Sequence, residues 1–344
     1  LGDVYKRQAV ISATRSPDAR PFVAADVGGT HARIALMRAD TSGKAAMLDF
    51  RQYACADFPD LSDIVAQFLR ESGAREADRA VIAIAGVLHG DELVNTNLPW
   101  PVALSRMRHA LSLRDLQLVN DFEAMAYATP YIDPAESVRL TGPATPPARG
   151  ATLVIGPGTG LGAALWTPSR GAGVPPQVLA TEAGHAALAP GNERELAIVG
   201  HFLTRWPHVD NERALSGPGL LNLYRCLCEL DAAVPVLASP AEVAQAAQNG
   251  SDIQAEEALQ IFCAMLGSLI GDLVLTFGAQ AVYLAGGMPA HIKPFLQGSR
   301  FVERYLNKGV LRSVLEQVPV SVIDHGRYGL LGAAAWYLDR GENA

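Results

Sequence analysis

The chain is predicted to be an α/β protein of two domains. Three observations carry this. Its 344 residues exceed what one ordinary core organises. Apolar strand patterns alternate with helical ones along most of its length. An apolar strand, a glycine-rich turn containing Thr and a second apolar strand occur at 22–37 and again at 152–166, which suggests duplicated halves.

In chain order, strand signals lie at Phe22–Ala25, Arg33–Met37, Ala80–Ala85, Gln117–Val119, Thr152–Ile155, Ala163–Trp166, Ala281–Ala285 and Val318–Ile323. Helical spacing marks Leu61–Ser72, Pro101–Leu111, Phe122–Ala128, Glu193–Thr204, Gly219–Cys228, Pro240–Gln248 and Gly329–Leu338. The clearest helix is Ala255–Phe277, whose Gly267 and Gly271 lie one turn apart and allow close backbone approach. "TGPATPPARG" at 141–150 reads as a loop near a domain junction. The opening residues 1–8, "LGDVYKRQ", resemble a translated sequencing-adapter fragment and are set aside.

Composition excludes some function classes. The net charge of −7 argues against a broad nucleic-acid surface. The apolar segment Ala258–Gly271 is 14 residues long, too short to span a bilayer, and no signal peptide is visible. Cys55, Cys226, Cys228 and Cys263 form no CxxC pair, which points to buried free thiols in a reducing, cytoplasmic compartment.

The chemistry concentrates at turns. "DVGGT", Asp26-Val27-Gly28-Gly29-Thr30, places a carboxylate, two glycines and a hydroxyl between two buried strands. Backbone N–H groups at such a turn suit phosphate oxygens, and the carboxylate suits Mg²⁺, directly or through water. A plain Gly-Gly hairpin with a self-capping Asp is the competing account. "VIGPGTGLGAALW" carries Gly156, Gly158, Gly160 and Gly162 around Thr159. Gly158-x-Gly160-x-x-Ala163 loosely fits a dinucleotide fingerprint, which should open a helix, but a strand pattern follows. A Walker A loop is absent, since Gly43-Lys44 is followed by Ala45. Strand 281–285 runs into Gly286-Gly287, a strand-to-helix turn. At "VNDF", Asp121 stands either as a helix cap or as a reactive carboxylate at a strand's carboxyl end.

Taken in order, Asp-x-Gly-Gly-Thr, Asn-Asp, Gly-x-Gly-Thr-Gly-x-Gly, Glu-x-x-His, Leu-Ser-Gly-Pro-Gly and Ala-Gly-Gly resemble the bacterial glucokinases of the hexokinase–actin–Hsp70 superfamily, from about Phe22 to Leu338. The resemblance implies a two-domain actin-like ATPase fold with ribonuclease-H-like halves and an interdomain cleft. It implies that ATP with Mg²⁺ phosphorylates glucose at the 6-hydroxyl. Asp26 to Thr30 and Gly158, Thr159 and Gly160 would cradle the phosphates, Asp26 helping to place Mg²⁺. Gly286 and Gly287 would lie against the adenosine. Asp121 would be the catalytic base, and Asn97, Asn120, Asp121, Glu182, His185 and Glu212 would hold the sugar. Another hexose as substrate, a non-catalytic sugar sensor and, from a different class, a nicotinamide dehydrogenase are the alternatives.

This sequence departs from the family pattern at Ala25, at His31 and in "TEAGH", where Thr181 and Ala183 flank Glu182. The last departure bears on sugar selectivity. No cysteine-rich zinc motif follows His185, so no zinc is expected, and the first strand near residue 22 leaves no room for a DNA-binding domain before it. The expected division is a segment 1–19 outside the fold, a small domain of 20–131 plus 329–344, and a large domain of 132–328. No nucleic-acid or membrane partner is expected. The resemblance allows a homodimer, to which the 255–277 helix could contribute.

Overall fold

The computed structural model describes residues 20–94, 98, 100–144, 150–169, 171, 176–323 and 326–340. The expectations for segment 1–19 and for Asn97 lie outside the described residues.

Two sheets organise the molecule. The first is built from β1 (Phe22–Val27), β2 (His31–Ala39), β3 (Ala45–Ala54), β4 (Arg79–Ile84) and, after the short strands β5 (Val87–His89), β6 (Glu92–Val94) and β7 (Val102–Ala103), β8 (Asp115–Val119). Its order is β3-β2-β1-β4-β8, while β5, β6 and β7 pair separately. The second holds β9 (Val138–Thr141), β10 (Thr152–Pro157), β11 (Leu161–Thr167), β12 (Gln177–Thr181), β13 (Ala281–Leu284) and β14 (Val320–Val322), in the order β12-β11-β10-β13-β14-β9. β1, β2 and β3 in the first sheet and β10, β11 and β12 in the second each form an antiparallel meander, and β1 and β10 also pair in parallel with β4 and β13, the strands that follow a helical crossover. The repeat at 22–37 and 152–166 is thus one topology used twice.

Helices cover the sheet faces, as a parallel core requires. They are α1 (Leu61–Glu71), α2 (Leu104–Ala110), α3 (Asp121–Tyr127), α4 (Glu193–Leu203), α5 (Gly217–Leu230), α6 (Pro240–Asn249), α7 (Ile253–Phe277), α8 (Gly287–His291), α9 (Lys293–Gly298), α10 (Phe301–Leu306), α11 (Arg312–Leu315) and α12 (Tyr328–Arg340). On one face of the first sheet, Ile64, Phe68 and Met107 pack with Val23, Ile34 and Ile82. On the other, Trp336 and Ala124 pack with Phe22, Met37 and Val81. The second sheet packs against α5, α6 and α7, where Leu153, Leu223, Val243 and Phe262 share one core. Burying each such side chain contributes about 1.5–3 kcal/mol.

α3 lies between the two sheets. Its Ala124 and Tyr127 belong to the core over the first sheet, while Met125 and Ala126 pack with Val154, Ala164 and Tyr283 of the second. α7 is long and apolar enough to cross a membrane by length and composition, but it is mostly buried here and serves as a core helix. Its Gly267 and Gly271 meet the Phe301 and Tyr305 carbonyls of α10, the close approach their spacing suggests. All four cysteines are free and buried.

One expectation needs correction. Residues 101–111 are not one helix: 102–103 form a strand and the helix starts at Leu104. The reason is a remote cap, since Asp91 O accepts the Leu104 N–H at 3.0 Å and Asp91 Oδ1 that of Ser105 at 2.8 Å. β3 carries no strand signal because most of its residues, at the sheet edge, are half or fully exposed.

Candidate active site

The second glycine turn is a β-hairpin. β10 ends at Pro157, β11 begins at Leu161, and the Gly158 N–H donates to Gly160 O at 2.7 Å. No helix follows Gly162, so the fingerprint geometry of a nicotinamide dehydrogenase is absent and that alternative falls.

Its four glycines serve different ends. Gly158 faces open space, leaving the backbone at the tip approachable. A Cβ at Gly160 would lie 2.5 Å from Glu212 Oε2. Gly156 and Gly162 face each other across the pair, and a Cβ at Gly162 would overlap the Phe122 ring. A Cβ at Gly156 would overlap the Ala285 carbonyl and lie 3.1 Å from Phe122 Cζ.

Asp121 opens α3, and Asn120 caps it. Asn120 Oδ1 accepts the N–H groups of Phe122 at 3.0 Å and Glu123 at 3.2 Å. The capping role considered for Asp121 therefore belongs to its neighbour. Asp121 Oδ1 accepts the Phe122 N–H at 3.0 Å, and the carboxylate sits at the positive end of the helix. Asn120 spends its carbonyl oxygen on the cap, so any sugar contact falls to its amide nitrogen. From behind, α12 fixes α3: Trp336 Nε1 donates to Glu123 Oε1 at 2.7 Å, and Gly332 admits the Ala124 carbonyl.

The loop after β12 carries Glu182 and His185. Both are exposed at a short turn whose buried Gly184 would place a Cβ 2.5 Å from Leu161 O. The two do not form a surface pair with each other. His185 Nδ1 lies 3.9 Å from Asp210 Oδ2, and His208 Nε2 meets His185 O at 2.9 Å. Asn211 Nδ2 donates to Ala183 O at 3.0 Å, tying this loop to the next. There Glu212 is half-buried, and its Oε2 accepts the Leu161 N–H at 2.9 Å. Ser216 Oγ donates to Glu212 O at 2.8 Å while accepting the Gly219 N–H at 2.9 Å, and the Gly217 N–H donates to Gly158 O at 2.7 Å. "LSGPG" thus docks α5 onto the hairpin tip.

Gly286 has φ +105°, a conformation that needs glycine, and its Cβ position is 3.5 Å from Pro157 O. The hairpin 156–162 therefore touches Phe122 beside Asp121, the Glu182–His185 turn, Glu212, and the Gly286 turn. Gly287 follows as the first residue of α8.

The first glycine turn stands at the end of β1. Asp26 is buried, pairs across the strands with Arg33 at 3.2 Å, and packs on α12, where a Cβ at Gly329 would lie 2.8 Å from Oδ2. The Gly28 N–H closes the turn onto His31 O at 3.0 Å, and Gly28, Gly29 and Thr30 are exposed. Cys55 donates to Gly28 O from beneath at 3.4 Å, with burial pushing its thiol pKa up. Among the described residues, no cluster of three His, Cys, Asp or Glu side chains could hold a metal by itself. One buried carboxylate beside exposed backbone amides suits a Mg²⁺ that arrives already coordinated by nucleotide phosphates, which keeps several waters.

Sequence reasoning passed over Arg33, Asp210, Gly329 and the ring of Phe122, and read Ser216 only as part of the Leu-Ser-Gly-Pro-Gly motif, without a role.

Comparison with known proteins shows the family and the fold. A family model described as Glucokinase matches residues 23–340. A glucokinase-like protein of Xylella fastidiosa (strain 9a5c) is 48% identical over 330 residues, 94% of this chain and 97% of its own. A glucokinase of Stenotrophomonas maltophilia (strain K279a) is 40% identical over 336 residues, 96% and 98% of the two chains. The crystal structure of a glucokinase from an Antarctic psychrotroph superposes with TM-score 0.80 at 32% identity, covering 94% of this chain and 99% of that one. The fold is the two-domain actin-like ATPase fold.

Proposed function

Because this chain belongs to the glucokinase family, we propose that it transfers the γ-phosphoryl group of Mg·ATP to the 6-hydroxyl of glucose, giving glucose 6-phosphate and ADP. The observation that carries this reading is that the Asn120–Phe122 segment, the Glu182–His185 turn, Glu212 and the Gly286 turn all meet the single hairpin 156–162.

Phosphoryl transfer needs an oriented hydroxyl and neutralised phosphate charge, with little covalent work by the protein. Asp121 would orient the 6-hydroxyl and accept its proton as the oxygen attacks phosphorus. Glu182, His185, Glu212 and the Asn120 amide would fix the remaining hydroxyls, with Asn97 a further sugar ligand. Val27, Gly28, Gly29 and Thr30, with Gly158, Thr159 and Gly160, would offer backbone and hydroxyl donors to the phosphates. Gly286 and Gly287 would bound the adenosine. Asp26 would hold the Mg²⁺ of Mg·ATP through water, its Oδ2 being engaged by Arg33; that ion would offset phosphate charge.

The reading includes two lobes, 20–131 plus 329–344 and 132–328, closing over the sugar to exclude water. It is tested with 6-deoxyglucose. The expected result is competitive inhibition of glucose phosphorylation with no transfer to 6-deoxyglucose itself. Phosphorylation of 6-deoxyglucose would place the reaction at another hydroxyl.

A further inference from the structure

We propose that Phe122 is the positioning residue that sets Asp121 against the phosphate hairpin, its ring seated in the bare spot left by the facing glycines Gly156 and Gly162. The assignment rests on the kinase reading above.

Gly156 and Gly162 are register partners on neighbouring strands, so the absence of both side chains opens one continuous gap on that face of the sheet. The Phe122 ring fills the Gly162 side of it, where Cδ2, Cε2 and Cγ occupy the space of a Gly162 side chain; on the Gly156 side the Ala285 carbonyl takes the space and Phe122 Cζ lies 3.1 Å from the Cβ position. The same residue's N–H is held by both Asn120 Oδ1 and Asp121 Oδ1, each at 3.0 Å. Phe122 is therefore fixed at its backbone to the carboxylate and at its ring to the hairpin. It joins a helix that packs on the first sheet to a turn that belongs to the second.

An aromatic ring has only two side-chain torsions, so one seated contact defines the approach of α3 with small entropy loss. The tip residues Gly158–Gly160 lie between the two socket glycines in sequence, and the base lies one residue from the ring. Met125 and Ala126 also hold α3 to the second sheet, but the Phe122 ring is the contact next to the base in sequence, so it bears most directly on the distance from base to transferred phosphoryl group. A shift of about 1 Å at such a distance costs on the order of 10²-fold in rate.

The account predicts a split between kcat and KM. Phe122→Ala should lower kcat by about 10–10²-fold, with KM for glucose and for ATP each within about threefold, because the ligands themselves are untouched. Gly162→Ala, which puts a methyl group into the ring's place, should lower kcat similarly. Combining Gly162→Ala with Phe122→Leu should recover part of the loss, since the smaller side chain makes room for the methyl group. Phe122→Leu alone should fall between wild type and Phe122→Ala. Steady-state kinetics on these four variants, each checked for cooperative unfolding, make the test. Losses confined to KM or to thermal stability, or additive losses in the double variant, overturn the assignment while leaving the kinase reading intact. A folded wild-type chain without sugar-dependent ADP release overturns both.

Discussion

Asp121→Asn is expected to lower kcat for glucose by about 10²–10⁴-fold, the range for removing a general base. The substitution keeps an Oδ1 acceptor for the Phe122 N–H, so the start of α3 should survive. It removes one charge from the helix terminus, costing about 0.3–1 kcal/mol of stability. Glucose binding, followed by intrinsic tryptophan fluorescence or calorimetry, should remain. A variant with kcat within about threefold of wild type would reduce Asp121 to a helix-terminus residue and remove the base from the mechanism.

The second large effect concerns stability. Glu195 and Arg304 form a buried ion pair that ties α4 to α10. Glu195 Oε2 accepts from Arg304 Nη2 at 3.1 Å and from the Gly191 N–H at 2.7 Å, and Oε1 accepts from Asn192 Nδ2 at 2.9 Å. Gly191 has no side chain because the guanidinium fills that space. Removing one partner strands a buried charge, so Glu195→Gln should destabilise the fold by about 3–5 kcal/mol. The double replacement Glu195→Leu with Arg304→Met should cost less than Glu195→Gln alone, because no charge is left unpaired. Denaturant midpoints check this. A loss below about 1 kcal/mol in Glu195→Gln would mean the pair is solvated in solution.

Much of this was readable in the chain, for physical reasons that differ by element. β1, β2, β10 and β11 are apolar runs because neighbours cover them on both faces, and their turns are marked by glycines. β3, β9 and β12 were not readable, since these half or fully exposed edge strands lack an apolar period, and β5, β6 and β7 are too short, at two or three residues each, to show one. At the site, Asp121 stood out by its place between strand and helix, but which of Asn120 and Asp121 caps the helix depends on backbone angles. The four glycines of 156–162 look equivalent in sequence. Only the register of β10 with β11 and the approach of α3 separate the open Gly158 from the socket glycines. The pairings of Asp26 with Arg33 and of His185 with Asp210 likewise exist only once strand register and loop contacts are formed.

The most direct measurement of the central claim is ADP release by the purified chain with Mg·ATP and a panel of glucose, mannose, fructose and N-acetylglucosamine, with the product of glucose turnover identified as the 6-phosphate. The account predicts sugar-dependent turnover that is fastest with glucose. Faster turnover of another hexose would redirect the substrate assignment to the "TEAGH" loop and its flanking Thr181 and Ala183. A folded chain that binds glucose yet releases no ADP with any sugar would contradict the account and make this protein a sugar sensor.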